Sequence, residues 1–241
     1  MKKGLFIALI ITAFFSGCKK SKCWKGFGED VKEERVLTDF HTIEIYDNLN
    51  LIFTPGPHRK ATIECPENLV DFIYTDIEDG VLTITDENKC DFVRGYDRDR
   101  NIYITGPSLE HVLCYNSGNV SITDTVYADY FTFEHWSASG INDLIVKADT
   151  VDIKLHTGTG DITAAGKTKQ LFLYASSYGY ADCYDLETVG ALVTLRSTNN
   201  AYVNTTRRLN ASIHSNADIY VLGDPEKVNF EQIGTGELIF E

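Results

Sequence analysis

The chain has 241 residues, 43% of them apolar, with 22 basic and 35 acidic side chains and a net charge of −13 at pH 7. That length allows one or two domains with a sizeable core. An acidic surplus of this size repels nucleic acid and anionic lipid, and it disfavours acidic polysaccharides unless a cation bridges them.

In chain order, the first unit is residues 1–17. Lys2 and Lys3 precede an apolar run from Leu5 to Phe15. That run is too short to span a bilayer, which takes about twenty residues. Ser16-Gly17 then precedes Cys18. The pattern resembles a bacterial lipoprotein signal, in which the Cys after the cleavage point receives lipid. Phe15 stands where such signals usually carry Leu. Cys18 is therefore the expected lipid attachment residue, and the mature charge becomes 20 − 35 = −15. The lipid would hold the protein on a membrane without a spanning helix. Residues 18–36 are charged and aperiodic, and they read as a tether.

Alternation of apolar and polar residues then begins, which is the period of a half-buried strand. Residues 37–107 hold several short strand patterns, among them Leu49 to Phe53, Ala61 to Cys65 and Val81 to Ile84. Asp79-Gly80 is a tight-turn signal. Asp76, Glu78 and Asp79 lack the ligand spacing of a calcium loop and read as a hairpin turn. Asp91, Asp97 and Asp99 alternate with Arg94, Arg98 and Arg100, a mixture that self-pairs on surfaces. If Cys18 carries lipid, five cysteines remain. Cys65 and Cys90 flank one predicted strand pair and are placed to bridge, but all five also suit small buried fillers.

Residues 108–241 are the regular part. Seven turns recur: Asn116-Ser117-Gly118, Ala138-Ser139-Gly140, Gly158-Thr159-Gly160, Ser177-Tyr178-Gly179, Thr198-Asn199-Asn200, Ser215-Asn216-Ala217 and Gly234-Thr235-Gly236. Their third residues are 22, 20, 19, 21, 17 and 19 positions apart. A period near twenty with strands between is the signature of a β-solenoid. The Gly-rich third column predicts a left-handed corner. The middle column (Ser117, Ser139, Thr159, Tyr178, Asn199, Asn216 and Thr235) predicts a polar ladder whose first task is to tie rung to rung. Tyr174, Tyr178, Tyr180, Tyr184, Tyr202 and Tyr220 gather in the last rungs. Tyr174, Tyr178, Tyr180, Tyr202 and Tyr220 are the candidate binding stripe, against the plainer reading that they fill and cover a strand-rich core.

The order of motifs is familiar. A leading Phe40-x-x-Ile43, an extended strand, a Gly56 break, the Asn68-Leu69 pair and Asp79-Gly80-x-Leu82-x-Ile84 resemble the opening of the auto-transporter adhesin "head GIN" domain family. Gly140-Ile141-Asn142 stands where the family's naming tripeptide would be. Tyr178, Asn200 and Ala217 depart from its Gly and Ser pattern. The resemblance implies an all-β, right-handed single-stranded β-helix with a less regular N-terminal portion. It also implies a lipoprotein of the Bacteroidetes-type cell envelope, and it brings no catalytic residues.

Catalysis finds little support in the chain itself. Asp161 and Asp218 share a position after the turn, but three rungs separate them, a gap of about 14 Å at the strand spacing. His135 and His156 are one residue out of phase and belong on opposite faces of a strand. No catalytic, metal or cofactor residues are assigned. The expectation is a non-enzymatic binding module held to the outer membrane by its N-terminal lipid, on the periplasmic side because Lys19-Lys20 is not an acidic export tag. Its partner would be a glycan or an envelope protein. The alternatives are a polysaccharide lyase or hydrolase, and a self-assembling structural protein whose solenoid ends associate into homo-oligomers.

Overall fold

The computed structural model describes residues 26–91, 95, 98–137 and 139–241. In chain order these form β1 (Asp30–Val36), β2 (Thr42–Asp47), β3 (Asn50–Pro55), β4 (Lys60–Pro66), a single helical turn α1 (Glu67–Val70), β5 (Ile73–Glu78), β6 (Val81–Asp86), β7 (Asn101–Gly106), β8 (His111–Asn116), β9 (Val120–Ile122) and β10 (Val126–His135). The long strands β11 (Ile141–Leu155), β12 (Asp161–Ser177), β13 (Ala181–Ser197) and β14 (Ala201–Ile213) follow, then β15 (Ile219–Leu222), β16 (Lys227–Gln232) and β17 (Leu238–Phe240). All seventeen strands belong to one curled sheet, a β-solenoid of about six turns.

Parallel stacking from β8 onward puts one side-chain column over the next. Phe133, Ile153, Leu173, Val193 and Ala211 are in register from rung to rung and buried. Full burial of a side chain of Val or Leu size stabilises by roughly 1.5–3 kcal/mol, so the repeated inward column supplies most of the cohesion. Within β12 the chain passes a close approach to β11 at Gly166. Gly166 has φ +122°, and a Cβ there would lie 1.9 Å from the Val146 carbonyl oxygen. Only glycine satisfies both conditions.

The first rung breaks the order of the chain. β2 lies between β6 and β8, and β3 lies between β7 and β9, all parallel. Beyond this rung the sheet turns antiparallel. β4 pairs with β7 and β1, and β5 pairs with β6. Asp79 (φ 49°) and Gly80 (φ 79°) make the tight turn of the β5–β6 hairpin expected from their sequence. α1 buries Leu69 and Val70 beside β4.

Three expectations change here. Asp30–Val36, assigned by composition to the tether, is the edge strand β1. Lys32 and Glu34 face outward and pair across the ladder, with Glu64 at 3.2 Å and Lys60 at 2.8 Å, while Arg35 on the other face donates to the Ile73 carbonyl at 2.7 Å. A charged edge strand of this kind discourages further pairing. Cys65 is buried and free, as are Cys114 and Cys183, whereas Cys90 is disulfide-bonded, so the Cys65–Cys90 bridge does not form. Burial pushes the Cys65 and Cys183 thiols up to about 12, which makes them apolar fillers. The mixed-charge loop is also not a purely superficial pairing. Arg98 does meet Asp30 at the surface at 2.6 Å, but Arg100 is buried, with Asp86 at 2.8 Å and Asp91 at 2.7 Å. Cys18, Arg94, Asp97 and Ala138 lie outside the described residues.

Candidate functional site

The marked turns align in a column, but for a different reason than positive φ. Of the third residues, Gly140 alone is left-handed, at φ 134°. At the glycines among the others successive rungs nearly touch, whereas Asn200 stands one position past the column, which runs through Asn199. A Cβ on Gly118 would lie 2.0 Å from the Leu49 carbonyl oxygen, one on Gly236 1.8 Å from that of Ala217, and one on Gly160 2.0 Å from the His135 ring. The middle residues Ser117, Ser139, Thr159, Asn199, Asn216 and Thr235 all face solvent. Two of them bond to the neighbouring rung: Ser117 donates to Asn48 at 3.3 Å and Asn199 to the Tyr178 carbonyl at 2.7 Å.

The polar ladder runs one or two positions later. The side-chain oxygen of Asn50 accepts the Asn119 N–H, Asn119 accepts that of Ile141, and Asp161 accepts that of Tyr180. Asn200 then accepts the N–H of Asp218, and Asp218 that of Glu237, all at 2.8–3.0 Å. Asp161 and Asp218, the acids with a shared position, are therefore rung-to-rung acceptors. A short carboxylate or carboxamide reaches the next strand's N–H where the chain leaves a turn, which is the chemistry of an Asx turn applied between rungs.

The tyrosine stripe divides. Tyr180, Tyr202 and Tyr220 stand on successive rungs and are joined by Tyr184. Tyr202 and Tyr220 stack at 4.9 Å and 12°, Tyr180 tilts onto Tyr202 at 5.3 Å, and Tyr184 meets Tyr202 edge-on at 5.1 Å. Tyr184 donates to Glu241 at 2.8 Å. Burial, then Asp182, pushes the Tyr180 hydroxyl up to about 12. Stacking ties these rings to one another from rung to rung and so reinforces the fold. Tyr178 is exposed at its turn, and Tyr174 lies on a different face.

That other face is formed by the strand segments preceding the turns. Tyr46 stacks on Tyr115 at 5.0 Å and 9°, Trp136 stacks on His156 at 3.5 Å and 14°, and His156 reaches Tyr174 at 5.7 Å. Tyr46, Tyr115, Trp136 and His156 occupy four successive rungs. Beside them Glu134 accepts from Lys154 (3.1 Å), Trp136 Nε1 (3.2 Å) and His156 Nε2 (3.3 Å), with His111 at 3.7 Å. Lys154 also pairs with Asp152 at 3.0 Å, which accepts from Tyr130. Partial burial pushes the Glu134 carboxyl up, but the bonds from Lys154, His156 and Trp136 outweigh it and hold it below the usual carboxylate range. Burial holds His111 below the ordinary histidine value against the pull of Glu134. His135 points the opposite way, into the core, as the phase argument required.

At the head of the aromatic column lies a polar pocket of about 520 Å³. Its walls include Tyr46, Asp47, Asn48, Lys89, Tyr115 and Ser117, and Arg100 lies at its back. Sequence reasoning missed this site because its rings come from strands of different rungs, Tyr46 from β2 and Tyr115 from β8, which the repeat period does not connect. The legible signal was Trp136 and His156, twenty positions apart. Among the described residues no group of three or more His, Cys, Asp or Glu side chains is placed to hold a metal ion. Among them also no helix is long and apolar enough to cross a membrane.

Comparison with known proteins returns one family model, described as "putative auto-transporter adhesin, head GIN domain", over residues 39–225. No curated protein matches. Among solved structures, a putative adhesin from Bacteroides fragilis NCTC 9343 superposes with a TM-score of 0.83 at 18% identity, covering 88% of this chain and 97% of that one. A putative lipid binding protein from Parabacteroides distasonis ATCC 8503 gives 0.69 at 18% identity over 90% and 98%. A putative adhesin from Parabacteroides merdae ATCC 43184 gives 0.64 at 16% identity over 89% and 98%. At these identities the likeness is one of fold.

Proposed function

The chain belongs to the head GIN domain family, and from that premise we propose that it is a non-enzymatic lipoprotein of the cell envelope that binds a glycan along the lateral face carrying Tyr46, Tyr115, Trp136 and His156. Lipid on Cys18 anchors it to the outer membrane, facing the periplasm. The observation that carries the reading is the polar pocket at the head of the aromatic column. Tyr46 and Tyr115 line it together with the polar residues Asn48, Asp47, Ser117 and Lys89. A few placed polar groups beside aromatic rings suit a hydroxyl-rich ring with apolar C–H faces.

A hydrolase reading fits less well. A glycosidase acid needs a carboxyl whose proton is retained near neutrality. Glu134, the carboxylate bonded to Trp136 and His156, is shifted the other way. Among the described residues, Asp86 is the carboxyl pushed up, through burial; it borders this pocket, but its side chain is only 2% exposed and is held by Arg100 at 2.8 Å.

A glycan array probed with the lipid-free protein tests the binding. Captured glycans should bind the Tyr115→Ala variant about tenfold more weakly, as loss of one aromatic contact implies, while Tyr220→Ala binds as before. Capture that ignores Tyr115→Ala would refute the site. Palmitate labelling that persists in Cys18→Ala would refute the anchor.

A further inference from the structure

Residues 108–241 contain eight basic and seventeen acidic side chains. Six of the eight, Lys147, Lys167, Lys169, Arg207, Arg208 and Lys227, line two adjoining troughs that share Lys169 and Val189. The acids lining the same troughs are Asp129, Asp149, Glu187 and Glu226. The strip is therefore 6 − 4 = +2, and the rest of this span, with Lys154 and Arg196 against thirteen acids, is 2 − 13 = −11. The first trough encloses about 640 Å³ and the second about 210 Å³.

The solenoid itself produces this segregation. Lys147 is in register with Lys167, and Arg208 with Lys227, so cations recur along the axis. The two pairs stand in neighbouring columns, since Lys167 continues to Glu187 on β13 whereas Arg208 follows Gly190. The trough floor is the strand at Ala128, Ala148, Thr168 and Thr188. The Thr168 and Thr188 hydroxyls donate to backbone carbonyls, so they add no free donor there. Tyr127 stands exposed at the opening end, with Lys147 5.8 Å from its ring centroid.

We infer that this strip binds a linear acidic polysaccharide laid along the solenoid axis. The cations stand on β11, β12, β14 and β16, with Glu187 on the intervening β13 and rungs about 4.8 Å apart, which suits a polymer carrying anionic groups along its length. A single-headed amphiphile would need its charges gathered at one end. The Lys167–Glu187 and Lys169–Asp149 pairs, both 2.7 Å and well exposed, contribute little to the fold, and a polymer's carboxylates replace Glu187 and Asp149 in them. Lys147, Arg208 and Lys227 have no carboxylate within 4 Å among the described residues. The whole-chain charge that disfavours acidic polysaccharides does not describe this strip. The site is separate from the aromatic face and stands without it.

Polygalacturonate, titrated into the intact chain at low ionic strength, is the probe, with dextran, an oligonucleotide of similar length and phosphatidylglycerol vesicles alongside. Polygalacturonate should bind, weaken as salt rises, and bind about tenfold more weakly after Lys167→Gln, Lys169→Gln and Arg208→Gln together. Asp149→Asn with Glu187→Gln should tighten binding, a gain that misfolding does not produce. Tyr115→Ala and Lys154→Gln should leave it unchanged. Absence of polygalacturonate binding, equal binding of dextran, indifference to the triple variant, or oligonucleotide or vesicle binding as tight as polygalacturonate would each overturn the inference.

Discussion

The two halves of this sheet solve the same stacking problem by different means. From β8 onward each rung meets the next in chain order, and one device repeats: a small residue where backbones approach, followed by an Asx side chain accepting the neighbour's N–H. Before β8 the spatial order departs from the chain order, and no repeat exists to enforce it. Specific anchors appear there instead: the buried Arg100 with Asp86 and Asp91, the disulfide at Cys90, and the hydrogen bond between Asn50 and Asn101. Repetition lets many weak equivalent contacts suffice. An irregular join depends on a few contacts that have no substitutes.

Gly118 tests that contrast most severely, because it joins the two regimes. In Gly118→Val, branched carbons would meet the Leu49 backbone, which cannot yield as a side chain can. The expected loss is about 4 kcal/mol or more in urea unfolding. The regular-half counterpart, Gly236→Val, brings its Cβ just as close, 1.8 Å from the Ala217 carbonyl oxygen, and should cost about 2 kcal/mol, because a terminal rung can open locally. If the two lose equally, the join is not special. Arg100→Met leaves two carboxylates without their buried partner and should cost about 3–5 kcal/mol, measured in the same way.

His135 sharpens the comparison from the regular side. Burial lowers its imidazole to about 4 from 6.5, and it sits beneath Gly160. The unfolded chain takes up the proton near 6.5 and the folded chain only near 4. Stability from this group is therefore intact above pH 6.5 and declines as pH falls toward 4, by about 3 kcal/mol in total. His135→Leu, which matches Leu155 and Leu195 in the same column, should flatten that part of the pH profile. An unchanged slope would show that the titrating group lies elsewhere. The smallest effect belongs to a single Asx acceptor: Asp161→Ala should cost about 1 kcal/mol and raise hydrogen exchange at the Tyr180 amide.

The turn period made the solenoid legible, because glycines at a crowded corner must recur once per lap. The reason for those glycines was not legible. A sequence records that a side chain is missing but not whether torsion or a neighbour requires it. Tyr184 was legible among the gathered tyrosines but not as a member of the stripe, because the register shifts between Cys183 and Glu187, and counting from the turns fails across a bulge. The basic strip was hidden for another reason. Net charge sums over the surface, whereas stacking sorts charge by position within the lap.

The placement of β2 and β3 also sets a timetable. As the chain leaves the ribosome, residues 42–55 emerge early, yet their flanking strands end only with β7 and β9, the latter at Ile122. The earliest hydrophobic strands must therefore wait, unpaired on at least one side, until roughly half the polypeptide has appeared. A molecule that could otherwise grow lap by lap from its start has to begin in the middle, and any factor that shields nascent strands would find its work between those two moments.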